Sequence, residues 1–329
     1  MNIVYNCNDK FAVHTAVSIT SLFEHNKSAD EINVYILGNG VRNLSISRFD
    51  ETAARYGRAI QVIDLKDYET VLKLMLGKAP DTGSFDVTVL ARLFAPSHLP
   101  DEVSRFLYLD ADTVVLGDIS ELYDTELSGN VCAMAAEPTI YADTRERLGL
   151  GAADPYFNSG MLLVDRIAWE RERITAECMD FYKSVNAGAL SFPDQDIMNF
   201  VLKGRIKHVW QGYNFFSNYA YQSYGNLCAE APWYSALMSK DDFEGAKAGP
   251  KVVHFAGAER PWIKGNFNPY KNEYEKYLAM TPWAGEPKLE GQETKMLMYH
   301  CMNLVTKLCP PARRVISAFY YNMKIRGRS

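Results

Sequence analysis

The chain lacks the features that mark several common protein classes. Its six cysteines, Cys7, Cys132, Cys178, Cys228, Cys301 and Cys309, form no CxxC pair and show no zinc-ligand spacing, which argues against a zinc ribbon or redox dithiol and leaves reduced, buried thiols as the reading. No segment approaches about 18 uninterrupted apolar residues, and the opening Met1-Asn2-Ile3-Val4-Tyr5 has neither the basic nor the apolar region of a signal peptide. The sequence therefore reads as a cytoplasmic protein without a membrane span. Positive charge is not in excess either: 35 Lys and Arg face 40 Asp and Glu, a formal net charge of -5. No global positive field is present to meet a phosphate backbone, so a nucleic-acid partner is not expected.

Apolar substance, by contrast, is plentiful. With 329 residues and 47% hydrophobic content the chain can bury a substantial core, and its length fits one large domain with an appendage. Short apolar runs alternate with helix-period stretches. Residues 2–6, 32–37, 59–65, 106–109, 131–136, 161–164, 206–210 and 252–255 read as strands, and 11–26, 45–56, 88–95 and 167–186 as helices. That alternation signifies an α/β sheet. Residues 225–249, where Gly, Pro and acids replace periodicity, read as a loop excursion beside the active-site edge.

The pattern changes after Tyr277, so the boundary is placed near residue 278. It separates a domain of residues 1–278 from a helical, basic segment of residues 279–329, interrupted at Pro310-Pro311. From Val305 onward Lys307, Arg313, Arg314, Lys324, Arg326 and Arg328 stand without an acid, interleaved with Val315, Ile316, Phe319, Tyr320, Tyr321, Met323 and Ile325. Such a stretch suits the surface of an anionic inner leaflet, where apolar burial and cation attraction act together. A packed terminal helix is the alternative. The membrane reading adds peripheral contact with the inner face of the cell membrane to the cytoplasmic one.

The sharpest local signal is Phe106-Leu107-Tyr108-Leu109-Asp110-Ala111-Asp112, an apolar strand delivering two carboxylates at its C-terminal end. Ligands of open α/β sheets bind at that end, and two carboxylates on one side of an extended chain suit one hard cation. A DxD triplet alone is weak, and a second, Asp194-Gln195-Asp196, stands at a probable helix start, where Asp196 reads as a cap or structural acid. Position after a strand favours Asp110 and Asp112 as the metal ligands.

Six ordered stretches between residues 3 and 264 then coincide with one pattern. They are residues 3–24 with Asn8-Asp9 and Val17-Ser18-Ile19, Ala91-Arg92-Leu93-Phe94, the Tyr108 to Asp112 strand end, Phe157-Asn158-Ser159-Gly160-Met161-Leu162, Pro193-Asp194-Gln195-Asp196, and His254-Phe255-Ala256-Gly257-Ala258-Glu259-Arg260-Pro261-Trp262. On these the chain resembles glycosyltransferase family 8, the group containing bacterial lipooligosaccharide galactosyltransferases and glycogenin. The resemblance implies a GT-A fold, a single Rossmann-like nucleotide-sugar-binding α/β domain with a mixed central sheet. It also implies a UDP-hexose donor (glucose or galactose), Mn²⁺ with Mg²⁺ as the alternative, and transfer to a saccharide or lipid-linked saccharide acceptor with retention.

By the same resemblance Asp110, Asp112 and His254 hold the metal; an imidazole ligand favours Mn²⁺ over Mg²⁺. The nucleoside sits over backbone groups of Asn6, Cys7 and Asn8 and the side chain of Asp9. Arg92 and Ala111 reach the donor, Glu137, Asn158, Asp194 and Gln195 line the sugar, and Gly257 and Arg260 flank the diphosphate. Three positions depart from the family pattern: Asn8 replaces an acid, Lys10 an asparagine, and Arg260 a lysine, which changes reach and hydrogen-bond geometry at constant charge.

An amide at Gln195 favours front-face attack by the acceptor, with Asp194 as covalent nucleophile the alternative. Two other classes compete. Leu109-Asp110-Ala111-Asp112-Thr113 also resembles the nucleophile strand of haloacid-dehalogenase-type phosphatases, with Asp110 the phosphate acceptor. A catalytically inactive nucleotide-sugar-binding protein is the other, supported by the departures at Lys10 and Arg260.

Overall fold

The computed structural model describes residues 1–83, 85–185 and 190–317. Ten strands form two sheets: β1 (Asn2–Asn8), β2 (Asn33–Asn39), β3 (Ala59–Asp64), β4 (Arg105–Leu109), β5 (Thr113–Val115), β6 (Cys132–Met134), β7 (Met161–Asp165), β8 (Ile206–His208), β9 (Phe215–Phe216) and β10 (Val252–His254). The large sheet runs β3-β2-β1-β4-β7-β6-β8 and the small one β5-β10-β9. Pairing from β3 through β4 is parallel, whereas β7 is antiparallel to both β4 and β6. The sheet is mixed, as the sequence implies. Strand order reverses between β1 and β4, which makes the crevice beyond their carboxyl ends the expected place for a ligand.

Alternation along each strand fills both faces of this sheet. On one face Val4, Leu37, Phe106, Tyr108, Leu162 and Val164 meet the helices Tyr68–Leu76, Ile174–Ser184 and Pro193–Val201. On the other, Ile3, Tyr5, Ile36, Leu107, Leu109, Met161 and Leu163 meet the helix Ala12–His25. A strand buried on both faces has to be apolar throughout, which explains why its first carboxylate appears only where the strand ends.

Local structure departs from the sequence reading at several places. Residues 225–249 are mostly helical, with helices Tyr224–Glu230 and Lys240–Ala248 flanking a 3-10 turn at Pro232–Ala236. Ser223 and Ser239 cap the two helices by accepting from the N–H groups of Asn226 and Asp242, while Leu227, Tyr234, Phe243 and Ala246 are buried in one cluster. Elements of seven to nine residues show too few turns for their period to emerge. The expected helix over 167–186 is two, Arg166–Arg171 and Ile174–Ser184, separated by Arg173 at φ 56°; residue 186 lies outside the described residues. Residues 88–95 fall mostly in a 3-10 helix, Val87–Phe94, capped by Asp86. The short strands β5 and β9 carry no run long enough to be read.

Cys301 and Cys309 are exposed, against the expectation of burial, while Cys7, Cys132 and Cys178 are buried; all six are free. The helix Glu293–Leu308 docks on the domain through Met296, wholly buried with Trp262, Tyr274 and Tyr277. Helical backbone resumes over residues 310–317, so Pro310 and Pro311 fall in a first turn, where a missing N–H costs nothing. The cations and aromatics from Phe319 to Arg328 lie outside the described residues. Among the described residues, no helix is long and apolar enough to cross a membrane.

Candidate active site

β4 ends at Leu109, and the backbone turns at Ala111 and Asp112 before resuming as β5. This turn, rather than the extended i, i+2 geometry expected from the sequence, brings the two carboxylates together. It is tied down by Asp110 N–H to Gly160 O (2.8 Å) and by Thr113 Oγ1 to Asp110 O (2.8 Å). β5 pairs antiparallel with β10, placing His254 opposite Thr113 and joining Phe255 N–H to Asp112 O at 2.8 Å. A histidine distant in sequence is thereby fixed beside the DxD turn. One ligand atom each from Asp110, Asp112 and His254 lies within 4.8 Å of the other two.

Each donor atom is aimed. Asp110 Oδ1 accepts from Arg92 Nη2 and Tyr108 Oη, both at 2.8 Å, which leaves Oδ2 facing His254 Nε2 at 3.7 Å. Asp112 Oδ1 is 3.2 Å from the same nitrogen, while its Oδ2 takes Arg260 Nη1 at 2.7 Å. His254 Nδ1 lies 3.0 Å from Asn214 Oδ1. Asn214 Nδ2 in turn donates to Asn158 Oδ1 at 2.8 Å, an oxygen that also accepts Gly160 N–H. The chain of donors is consistent only if Nδ1 carries a proton, which leaves Nε2 as the atom that faces the carboxylates, donating to Asp112 when the ring is charged and free to bind a metal when it is neutral.

Two oxygens and one imidazole nitrogen so placed fit a divalent transition ion. Burial works against protonation of His254, yet the charge of Asp112, the hydrogen bond to it, and the charge of Asp110 outweigh burial and raise its pKa. For Asp112, burial acts upward, but Arg260 and His254 prevail and hold it below the usual carboxylate range.

A cavity of about 960 Å³ opens in front of these groups. It collects most of the residues singled out from sequence: Asn6, Asn8, Arg92, Asp110, Ala111, Asp112, Glu137, Asn158, Asp194, Gln195, His254, Gly257 and Arg260 all line it. The Cys7 side chain lies in the core instead. Asp9 turns toward the helix Asn43–Tyr56, where it accepts from Arg42 N–H (3.0 Å) and Ser45 Oγ (2.8 Å) and pairs with the Arg42 guanidinium. Asn8 Oδ1 accepts Phe11 N–H at 3.1 Å, and Lys10 is exposed.

Behind the wall, Arg92 is buried and bridges Asp110 to Asp194, with Asp194 Oδ2 3.1 Å from its Nε and its Nη1 2.6 Å from Ser159 O. Burial raises the pKa of Asp194, opposed chiefly by Arg92. Gln195 is gripped at both ends of its amide. Its Oε1 accepts from Asn158 Nδ2 (2.7 Å) and Ser159 N–H (3.1 Å), and its Nε2 donates to Glu137 Oε2 (2.9 Å) and Tyr156 Oη (3.0 Å). Burial raises the pKa of Glu137, against the pull of its hydrogen bonds from Asn158 and Gln195. Asp196 points away from the cavity and accepts Ser191 N–H (2.7 Å) and Tyr156 Oη–H (2.5 Å), a structural role.

Sequence reasoning did not single out Asn214, Tyr156 or Ser159. Asn214 precedes the two-residue strand β9, which is held parallel to β10, and no local signal marks it. Ser159 stands inside the Asn158-Ser159-Gly160 stretch already quoted. Gly160 is there for space, because a Cβ at that position would sit 2.3 Å from His254 Cε1.

A sheet that reverses its order beside two carboxylates and a histidine, all facing one cavity, puts a ligand site at the switch point of the sheet, and the family match and fold likeness that follow make the chain a GT-A-fold glycosyltransferase. The family model "Glycosyl transferase family 8" matches residues 2–265. General stress protein A of Bacillus subtilis is 26% identical, over 88% of this chain and 97% of that one. Lipopolysaccharide 1,2-glucosyltransferase of Escherichia coli K12 is 26% identical, over 87% and 80%. The crystal structure of galactosyltransferase LgtC with donor and acceptor sugar analogs superimposes with a TM-score of 0.69 at 21% identity, over 87% of this chain and 98% of that one. The chain belongs to glycosyltransferase family 8, and the phosphatase alternative built on Asp110 falls.

Proposed function

We propose that this glycosyltransferase moves glucose or galactose from UDP to a saccharide or lipid-linked saccharide acceptor, with Mn²⁺ bound and anomeric configuration retained. The observation that carries the proposal is the convergence of Asp110, Asp112 and His254 on one point of the cavity wall. A divalent ion held by these three supplies positive charge against the departing diphosphate. Arg260, anchored through Nε to Gly257 O at 2.9 Å, offers a second cation to the same leaving group. Asn6 lines the cavity and its Oδ1 is buried without a partner among the described residues, an unmet acceptor that a nucleobase N–H would satisfy. The relatives' names, a lipopolysaccharide glucosyltransferase and a galactosyltransferase, support a hexose and a lipopolysaccharide-type acceptor.

Front-face attack is the route to retention that the residues near the sugar subsite support. Gln195 is a weak nucleophile whose amide is engaged at both ends, so it positions the sugar. The Asp194 carboxylate is committed to Arg92 and to Ser159 Oγ at 2.8 Å. The acceptor hydroxyl then attacks C1 on the face from which UDP departs; the C1–O bond to UDP breaks, the acceptor–C1 bond forms, and the leaving phosphate oxygen takes the proton. A glycosyl adduct on Asp194 detected by mass spectrometry would overturn this order of events.

The direct test is UDP release from UDP-glucose, UDP-galactose and UDP-N-acetylglucosamine with and without Mn²⁺, in wild type and Asp112→Asn. Mn²⁺-dependent release from one donor, abolished in the variant, is expected. Absence of release and of binding with every donor would return the inactive binding-protein reading. Peripheral membrane contact belongs to the same proposal, supported by the exposed Leu304, Leu308 and Val315. Deleting residues 305–329 should move the protein to the soluble fraction; unchanged membrane partitioning removes the idea.

A further inference from the structure

The cations of the carboxyl-terminal segment do not all face outward. Arg313 and Arg314, with Ser317 one helical turn on from Arg313, line the same cavity as the DxD turn, and both arginines are half-buried. Asn6 and Asn8 at the end of β1 mark the nucleoside side, and Asp110 at the end of β4 marks the diphosphate. Glu137 and Asn158, reached through the segments flanking β6 and β7, mark the sugar. The arginines lie beside Glu230, at the end of the helix Tyr224–Glu230, and Tyr219, which feels the charge of both Glu230 and Glu137 and has its hydroxyl 3.5 Å from Thr139 Oγ1, puts this group on the Glu137 side of the cavity. Among the described residues neither guanidinium stands within salt-bridge distance of a carboxylate, and the acid they act on is Glu230, which feels Arg314 and Arg313 together. Two guanidiniums acting on the single Glu230 carboxylate leave a local excess of positive charge beside it.

We propose that Arg313 and Arg314 form an acceptor subsite for an anionic group, so that the acceptor is a saccharide bearing a phosphate. This rests on the donor reading above and adds the chemical class of the second substrate. A guanidinium presents a planar fork matched to phosphate oxygens, and two at one cavity end serve a phosphate better than neutral hydroxyls, for which amides and hydroxyls suffice. These two cations are then determinants of acceptor choice, distinct from any membrane role of the residues that follow them.

The test loads the full chain with UDP and Mn²⁺, which fills the diphosphate site so that added phosphate cannot bind there. Affinities are then measured by calorimetry for glucose 1-phosphate, glucose 6-phosphate and galactose 6-phosphate against glucose and galactose. Wild type should bind at least one phosphorylated sugar tenfold or more tighter than its neutral parent. Arg313→Gln/Arg314→Gln should erase that ratio, and Arg313→Lys/Arg314→Lys, which keeps charge without the fork, should restore part of it. A wild-type ratio near one, or a ratio the Gln pair leaves intact, overturns the proposal. So does loss of binding to phosphatidylglycerol vesicles in the Gln pair with the ratio unchanged, since the cations would then serve a lipid surface. Failure of UDP and Mn²⁺ to bind wild type would refute instead the donor reading on which the subsite stands.

Discussion

Replacing Gly160 with alanine isolates the contribution of His254 without touching any titratable group. A Cβ there would stand 2.3 Å from His254 Cε1, 2.8 Å from Nδ1 and 2.9 Å from Asn158 Oδ1. Carbon atoms rest at about 3.5–4.0 Å, so the ring has to retreat by about 1 Å or more. It has little room to do so: Nδ1 is held by Asn214, the Phe216 ring stands edge-on at 5.2 Å, and the residue is 4% exposed. Overpacking of this kind costs roughly 1–3 kcal/mol of stability. Displacement of Nε2 from its place 3.2 Å from Asp112 Oδ1 has a larger consequence, since misplacement by about 1 Å lowers rates about a hundredfold. The assay is Mn²⁺-dependent UDP release together with a Mn²⁺ titration, and a urea melt confirms folding. Gly245→Ala serves as control, because its Cβ meets nothing within 4 Å and it lies in the helix Lys240–Ala248; it should add about 0.5–1 kcal/mol. A Gly160→Ala protein with wild-type Mn²⁺ affinity and turnover would refute the placement of His254 in the metal site.

Asn214→Leu removes the acceptor that fixes the His254 tautomer, and loss of such an outer partner lowers metal affinity about 10–100-fold; a Mn²⁺ titration superimposing on wild type would contradict this. Arg92→Met leaves Asp110 and Asp194 without their shared buried partner, and a cost of about 3–5 kcal/mol is expected by urea unfolding, against which a change below about 1 kcal/mol would count decisively. Burial lowers the pKa of His14 to about 3, while the unfolded side chain titrates near about 6.5. Its stabilising contribution is therefore complete above the unfolded value and is lost as pH falls toward about 3, at roughly 1.4 kcal/mol per pH unit. Wild type should lose stability more steeply than His14→Gln between pH 6 and pH 4, and parallel curves would show that His14 is not the group responsible.

The carboxylate part of the candidate site was legible because strand-end chemistry is local. An apolar run buried on both faces has to end before a carboxylate can appear, so Asp110 and Asp112 announce a sheet edge from sequence alone. The stretch from Asn158 to Gly160 was readable as a motif, although the steric reason for Gly160 emerges only with His254 packed against it. The helices between residues 224 and 248 were missed because each is a few turns long and takes its stability from burying Leu227, Tyr234 and Phe243 in a common cluster, which is tertiary packing rather than propensity.

By itself the sequence determined the α/β alternation and the paired carboxylates at a strand end, consequences of residue type and strand periodicity, while His254 was singled out by the family resemblance. Only the tertiary structure decided how these meet. Pairing of β5 with β10 carries His254 across the intervening chain to Asp112. The two residues of β9 bring Asn214 behind it. The fold turns Asp9 away from the cavity and Arg313 and Arg314 into it. The physical reason is the same in each case: these contacts join residues separated by long stretches of chain, and their energy comes from pairing and burial that exist only once both partners have been folded into place.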